Sequence, residues 1–517
     1  MRLIVLFFLE QGKPFSDIVF DEYKSIGSLQ AQSLYLTVSI MHRLGVPTRA
    51  GLISRVHGIP FNRFKQELFK PLEFIVFASK DDVINDYIYR SRHSHIAEIV
   101  FERVLNHRQD RYDEYVKIIS ALDTDYNSDR EAFKKLINAK SLLDLFNDPQ
   151  MIRQIYNVAK EGVGDDPKLL QQEAIFEMNS LGGSLLKATN LLQKAHKQEP
   201  YNKAIAHSLS ELALRKAEKA STPLERNKLR QESRMISHEL ASRHSITPHP
   251  YHTLIKIGLD ELTELMDQGD ALSIERKIKE VEEIIAQGVQ SFPDEAFILN
   301  SEAELSTLLN KYPKALESLK KAFSTNRRNP FIASRLAKLY EFNNQQEEAI
   351  KVLKECLEAN PNDKHINFKL AMLLDKSHTS NPAEIKHHLR RSFTEGDSNY
   401  AAQFWFARSI YLEGDSGGAF KIFRSLGQAN IDIRTKIQPR GVVKDDRGPL
   451  RFTGTVSRIE SSYAFIIRDG YQDRIFTYRD FNQEKEWDKL TTQGRVSFQL
   501  GFTYRGPCAL NVMEEEI

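Results

Sequence analysis

The sequence repeats itself at a fixed interval. Ala303, Ala337 and Ala371 stand 34 residues apart, and so do Ala315, Ala349 and Ala383. Two small residues 12 positions apart thus recur with a 34-residue period, in a stretch whose apolar residues follow helical spacing. The fullest copy reads "PFIASRLAKLYEFNNQQEEAIKVLKECLEANPND", with Leu336, Ala337 and Tyr340 on a first helix, Ala349, Leu353 and Cys356 on a second, and Pro361 closing the unit. Ala407 and Ala419 mark a further copy, and "LLQKAHKQEPYNKAIAHSLSELAL" reads as the junction of two weaker ones. A helix pair of this kind cannot bury its apolar face alone, so the copies must stack.

The period, the small residues where paired helices approach and the proline after the second helix resemble the tetratricopeptide repeat. That resemblance implies a mainly α chain, a tetratricopeptide-like helical repeat solenoid over residues 128–427, whose concave surface takes a protein or peptide partner. At 517 residues the chain is too long for one core. Further domains are expected at both ends.

Between Ala31 and Leu105 the pattern is mixed. "AQSLYLTVSIMHR", "VPTRAGLISRV" and "FNRFKQELFKPL" read as three helices, "LEFIVFAS" and "DYIYRSRH" as a strand pair joined by "KDDVIN", and "SHIAEIVFERVL" as a helix. Three helices followed by a two-stranded wing resemble a winged-helix-like module, placed at residues 1–120. Together with "YRSRHSHIAEIVFERVL", the pattern is similar to the winged-helix region of STAND-type signalling ATPases, in which a His opening a helix meets the nucleotide's phosphates; His93 is the matching position. No G-x-x-x-x-G-K-[ST] occurs in the sequence. The resemblance therefore implies the C-terminal part, or a diverged or split member, of such a protein, with an upstream NTPase module as a further partner and a bacterial antiviral defence setting. Read from the residues alone, His93 and His95 are a surface pair capping a helix. The third helix, with Arg63, Lys65 and Lys70, is also a candidate for DNA contact.

"TKIQPRGVVKDDRGPLRF" breaks the helical pattern with two prolines and two glycines, and 428–449 is read as a linker. Short strand-like runs follow: "GTVSRIESSYAFIIRDG", "RIFTYRDF", "GRVSFQL" and "YRGPCALNV". Their order, and the closing "RGPxAxNV" pattern above all, resemble a cold-shock domain, an OB/cold-shock-like β-barrel of five strands, over 450–517. In that family two short motifs present rings on which bases stack. Here they become "SSYAFI", keeping Tyr463 and Phe465, and "RIFTY", keeping Phe476 with Tyr478 in place of the usual His. Arg458 stands where the family has Trp, and a guanidinium stacks on a base as well as pairing with phosphate.

Period-2 spacing puts each ring pair on one face of its strand, and on a barrel one face is core. Ile466, Ile475 and the alternate valines supply the core, which leaves the rings for the outside. Residues 434–512 carry 14 Lys or Arg against 9 Asp or Glu, an excess suited to phosphate. The expected single-stranded RNA or DNA site is Tyr463, Phe465, Phe476, Tyr478, Arg458 and Arg505. A barrel that only contacts protein is the alternative.

The remaining features mostly exclude. Net charge is +2, so any nucleic-acid contact is local. Cys356 and Cys508 lack CxxC spacing, which rules out a disulfide framework and a Cys-based zinc site and fits a reducing, cytoplasmic setting. The apolar run in "MRLIVLFFLEQGKPF" is too short to cross a bilayer; it reads as a buried strand or helix that something preceded. His244, His249 and His252, and the pair His387 and His388, have no carboxylate at metal spacing and read as solvated. No nucleophile–base pattern stands out, and no cofactor is expected. A non-enzymatic sensor or adaptor results, with the sensor half of a STAND-type ATPase and a purely structural repeat scaffold as its alternatives.

Overall fold

The structure is a computed structural model that describes residues 15–81, 86–242, 247–376, 381–445, 447–471 and 473–515. The N-terminal apolar run to Pro14 and His244 lie outside them. The chain is mostly helical, a tetratricopeptide-like solenoid with a closed five-stranded barrel at the C-terminal end. The described residues fall into two compact units: those up to Thr325 with Thr394–Ser398, and Asn326–Phe393 with Asn399–Ile517.

The first unit opens with α1 (Phe15–Ser25), α2 (Leu29–Arg43), β1 (Thr48–Arg49) and α3 (Ala50–His57). A 3-10 turn at Phe61–Arg63 and a π turn at Lys65–Phe69 stand where a regular third helix was expected. β2 (Val76–Asp81) and β3 (Asp86–Ser91) form the hairpin, and β1 adds to its edge through Thr48↔Tyr89. The first strand begins four residues later than its apolar pattern suggests, because Leu72–Ile75 is spent on a turn in which Phe74 takes φ 66°. α4 (Ser94–Val104) follows, and the core of this end closes over Leu34, Ile53, Val100 and Phe101.

Helices α5 (Arg108–Ala121), α6 (Asn127–Leu136), α7 (Ala139–Phe146), α8 (Pro149–Val163), α9 (Pro167–Asn179), α10 (Leu185–Gln198), α11 (Lys203–Lys219) and α12 (Pro223–Ser242) continue the first unit. It ends with α13 (His249–Gln268), α14 (Ala271–Ser291), α15 (Ala296–Leu308) and α16 (Tyr312–Thr325). The second unit begins with α17 (Pro330–Phe342), α18 (Gln346–Ala359), α19 (Lys364–Lys376), α20 (Pro382–Arg391), α21 (Tyr400–Leu412) and α22 (Ser416–Gln428). One local device starts four of these helices. Asp148, Asp166, Asn329 and Asn381 each accept a hydrogen bond from a free backbone N–H of the first turn, and each is followed by a proline, whose missing N–H costs nothing there.

The repeating alanines lie where the helices of a pair meet. Ala303 and Ala315 in the first unit, and Ala337, Ala349, Ala371, Ala407 and Ala419 in the second, are all buried. Ala383 is exposed. The Asn381 cap starts α20 at Pro382, so Ala383 falls in the open first turn, and Leu389 is the only residue of that ten-residue helix classed as buried.

The described residues of 428–449 carry local structure. They hold α23 (Ile433–Ile437) and a small β4 (Lys444–Asp445), β5 (Gly448–Pro449) hairpin, and Arg440 exchanges two backbone hydrogen bonds with Phe502, at 2.8 and 2.9 Å. The barrel comprises β6 (Arg451–Ile459), β7 (Tyr463–Arg468), β8 (Arg474–Tyr478), β9 (Arg495–Thr503) and β10 (Gly506–Glu514), closed in the order β10-β8-β7-β6-β9. β8 and β10 run parallel, and the other neighbours run antiparallel. Gly454 permits the tight passage of β6 across β7: a Cβ there would sit 2.5 Å from the Ile467 carbonyl oxygen.

The core of the barrel is continuous with that of the last helix pair. Val456, Ile466, Ile475, Phe498 and Phe502 form one cluster with Phe404 and Tyr411 of α21 and Phe423 of α22. Phe502 meets Tyr411 edge-on at 5.6 Å and stacks on Phe423 at 6.2 Å, while Tyr504 meets Phe404 at 5.4 Å. Arg408 and Arg440 add guanidinium-to-ring contacts at its edge.

Candidate nucleic-acid interface

The register of β7 on β8 sets out the site. Tyr463 pairs with Tyr478 and Phe465 with Phe476; Ala464 pairs with Thr477 between them, and Ile466 with Ile475 just beyond. Ala464, Ile466, Ile475 and Thr477 are fully buried inside the barrel, so the pleat turns the four rings outward, where they are half-buried. Tyr463 and Phe465 meet edge-on at 5.7 Å, and Phe476 and Tyr478 at 5.3 Å.

A fifth ring joins them. Phe481 lies at the end of the 3-10 turn Arg479–Phe481 and meets Tyr478 edge-on at 5.1 Å. Asn482 fixes that turn, donating to Thr477 Oγ1 at 2.8 Å and to the Tyr478 carbonyl at 2.7 Å while accepting from the Val512 N–H at 2.8 Å. Strand alternation does not reach Phe481, which follows the end of β8. The signal that could have found it is the aromatic three positions past Tyr478 in "YRDF".

The two arginines differ in their freedom. Arg458, opposite Phe465 beyond a bulge in β6, donates from Nε and Nη2 to Glu460 Oε1 at 2.8 and 2.6 Å. Its charge is thus already matched. Arg505, exposed in the β9–β10 turn, donates to the Tyr478 hydroxyl at 3.0 Å and has no carboxylate partner among the described residues. Charge is unevenly shared between the units. Residues 326–393 and 399–517 hold 29 Lys or Arg against 23 Asp or Glu, and the rest of the chain holds 43 against 47.

The other candidate residues stand apart from this face. His93 is exposed and is the N-cap of α4, its Nδ1 accepting from the His95 N–H at 3.1 Å. Arg63 pairs with Glu67 at 3.5 Å; Lys65 opens the π turn, Lys70 follows it, and both are exposed. His249 is exposed and stacks on His207 at 5.2 Å, and His252 is half-buried and meets Phe297 at 5.9 Å; loss of hydration among these neighbours lowers the pKa of both. His388 Nδ1 donates to Asn367 Oδ1 at 2.8 Å, and burial lowers its pKa to about 4. Burial likewise pushes the Cys356 thiol up to about 11 and raises that of Cys508. Among the described residues no helix is long and apolar enough to cross a membrane.

Comparison with known proteins adds the helical part. Residues 308–374 match the family model of the tetratricopeptide repeat. No curated protein matches. A thermophilic tetratricopeptide-repeat protein from Thermus thermophilus is similar in structure, at 19% identity over 40% of this chain and 98% of that one, with a TM-score of 0.32. A tetratricopeptide-repeat protein from Parabacteroides merdae is similar at 15% identity over 52% of this chain and 96% of that one, TM-score 0.28. So is a Signal Transduction ATPase with Numerous Domains (STAND) protein with a tetratricopeptide-repeat sensor from Pyrococcus horikoshii, at 14% identity over 80% of this chain and 64% of that one, TM-score 0.31.

Proposed function

We propose that this chain is a non-enzymatic sensor or adaptor whose helical repeats hold a protein or peptide while its barrel binds single-stranded RNA or DNA. The repeats themselves mark an interaction scaffold. The observation that carries the nucleic-acid half is the pairing of Tyr463 with Tyr478 and of Phe465 with Phe476 on the outer face, while the alternate residues fill the core. Rings with no core to fill are a stacking platform for unpaired bases, each worth about 1–3 kcal/mol. In this reading Arg505 takes phosphate, and Arg458 does so once Glu460 releases it. The closed five-stranded barrel, with its last strand parallel to its third, supports the OB-type reading.

Two alternatives each have an observation behind them. A structural scaffold whose barrel only caps the repeats is favoured by the core shared between the barrel and α21 and α22. A STAND-type sensor half is favoured by the order of helices and hairpin at the N-terminal end, read as a winged-helix-like module. There the His93 Nε2, left free by the cap, would face phosphate.

The test uses the full chain, because the barrel cut loose would expose Phe502 and Tyr504 to water. Fluorescence anisotropy with labelled single-stranded RNA, single-stranded DNA and duplex, at low and high salt, is expected to show salt-sensitive binding of the single strands. The double variant Phe465→Ala, Phe476→Ala, with its fold checked by circular dichroism, is expected to lose about 30-fold or more in affinity. Absence of single-strand binding at low salt leaves the capping barrel as the reading.

A further inference from the structure

The first helices of successive pairs in the first unit pack on one another, α9 on α11, α11 on α13 and α13 on α15. Between α14 and α16, second helices of adjacent pairs, a groove of about 440 Å³ opens, within the size range of binding clefts. Its floor is Ile285 and Val289 of α14 and Leu305 of α15; Ala286 is exposed along it, and Glu282, Glu302 and Lys314 stand at its rim. Gly288 keeps the floor close, since a Cβ there would come within 3.1 Å of Ile298 Cδ1.

The groove sits in the most acidic part of the chain. From α13 to α15, residues 249–308 carry 13 Asp or Glu against 4 Lys or Arg. Three of those four cations are already taken: Lys256 by Glu218 at 2.7 Å, Lys277 by Glu261 at 2.8 Å and Lys279 by Glu275 at 2.9 Å. Glu302 is shared between Ser318 and Lys314, at 2.9 and 3.3 Å, whereas Glu282 forms no ion pair or hydrogen bond among the described residues. An apolar floor beside the one unpaired rim carboxylate, Glu282, in so acidic a stretch is complementary to a segment with an aliphatic anchor flanked by a cation.

We propose that the groove between α14 and α16 docks a basic amphipathic peptide segment of a partner protein. An aliphatic side chain fills the floor over Ile285, Val289 and Leu305, and a neighbouring Lys or Arg pairs with Glu282. The groove is lined mainly by α14, so docking there leaves most of the surface of the first helices α9, α11 and α13 untouched. This rests on the repeats being a protein- or peptide-binding scaffold and says which surface and which chemistry serve it.

The test is anisotropy of the full chain with a short labelled peptide of Lys and Leu, leucines spaced for one helical face, beside its Glu and Leu counterpart. The Lys and Leu peptide is expected to bind and the acidic one not. Ala286→Trp, which fills the groove from an exposed position, is expected to weaken binding about tenfold or more. Glu282→Lys is expected to weaken it about fivefold at low salt, while Glu283→Lys, the same charge change outside the groove, stays within about twofold. Binding that survives Ala286→Trp and Glu282→Lys overturns the groove but leaves the scaffold standing. Equal binding of the acidic peptide overturns the charge complementarity and with it the proposal. No binding of either peptide overturns the groove and removes support from the scaffold reading as well. Labelled single-strand binding, measured on the same variants, reports the barrel independently.

Discussion

The rings of α21 and those of β7 and β8 belong to the same compact unit yet meet different surroundings. Phe404 and Tyr411, with Phe423 of α22, are buried against Phe502 and Tyr504, in a core that joins helix pair to barrel. Tyr463, Phe465, Phe476 and Tyr478 are half-buried, and their ring contacts run among themselves and Phe481. Aromatic content does not separate the two groups. What separates them is whether the neighbouring positions can fill the core without them: along β7 and β8 they can, and between α21 and β9 they cannot.

The largest effect that would break this contrast is on stability. Phe502→Ala removes a fully buried ring shared by three elements, and should cost about 3–5 kcal/mol in urea unfolding of the full chain. It should loosen barrel and helix pair together. A loss under about 1 kcal/mol would mean that the two do not share a core.

The converse variant comes next. Phe476→Ala leaves Ile475 and Thr477 in place and should cost only about 0.2–1 kcal/mol of stability, the worth of a cross-strand pair. Single-strand affinity should nevertheless fall by about 1–3 kcal/mol, some 5- to 150-fold. Equal losses in both measurements would make the ring part of the core and erase the distinction.

A smaller change sharpens the electrostatics. Glu460 occupies Arg458 through two hydrogen bonds, so Glu460→Gln should free that guanidinium for phosphate. Single-strand affinity should rise about threefold at low salt, and the gain should vanish as salt screens the exposed charge. An unchanged affinity would place the strand's path away from β6.

Much of this contrast could be read from residues alone. Alternation in "SSYAFI" and "RIFTY" tells which side chains share a face, and the apolar residues between them tell which face is core. Phe481 escapes that logic because a 3-10 turn, held by Asn482, brings it back beside Tyr478. The shared core escapes it too. Nothing in the strand pattern of β9 says that Phe502 will meet a helix rather than the inside of its own barrel, since either would bury it. Residues 428–449 were opaque for a related reason: prolines and glycines mark where helix ends, but they do not report that Arg440 will pair with Phe502 as an added strand segment would. The irregular Phe61–Phe69 stretch carries the apolar spacing of a helix, and spacing does not choose among 3-10, α and π hydrogen bonding.

The smallest expected effect concerns the repeat itself, where period and packing part company. Ala349 and Ala383 are 34 residues apart and equivalent by sequence, but Ala349 is buried where α18 meets its pair, whereas Ala383 is exposed in the first turn of α20. A period in sequence places a residue at a packing site only if the helix starts in the same phase. Here the Asn381 cap and Pro382 start α20 just one residue ahead of its alanine, while α18 starts at Gln346, three residues ahead of Ala349. Ala383→Leu should therefore change stability by no more than about 0.5 kcal/mol, as for a surface position. Ala349→Leu, forced into a close helix contact, should cost about 1–3 kcal/mol. Equal costs in urea unfolding would mean that α20 begins a turn earlier and that the sequence period, not the cap, sets the packing.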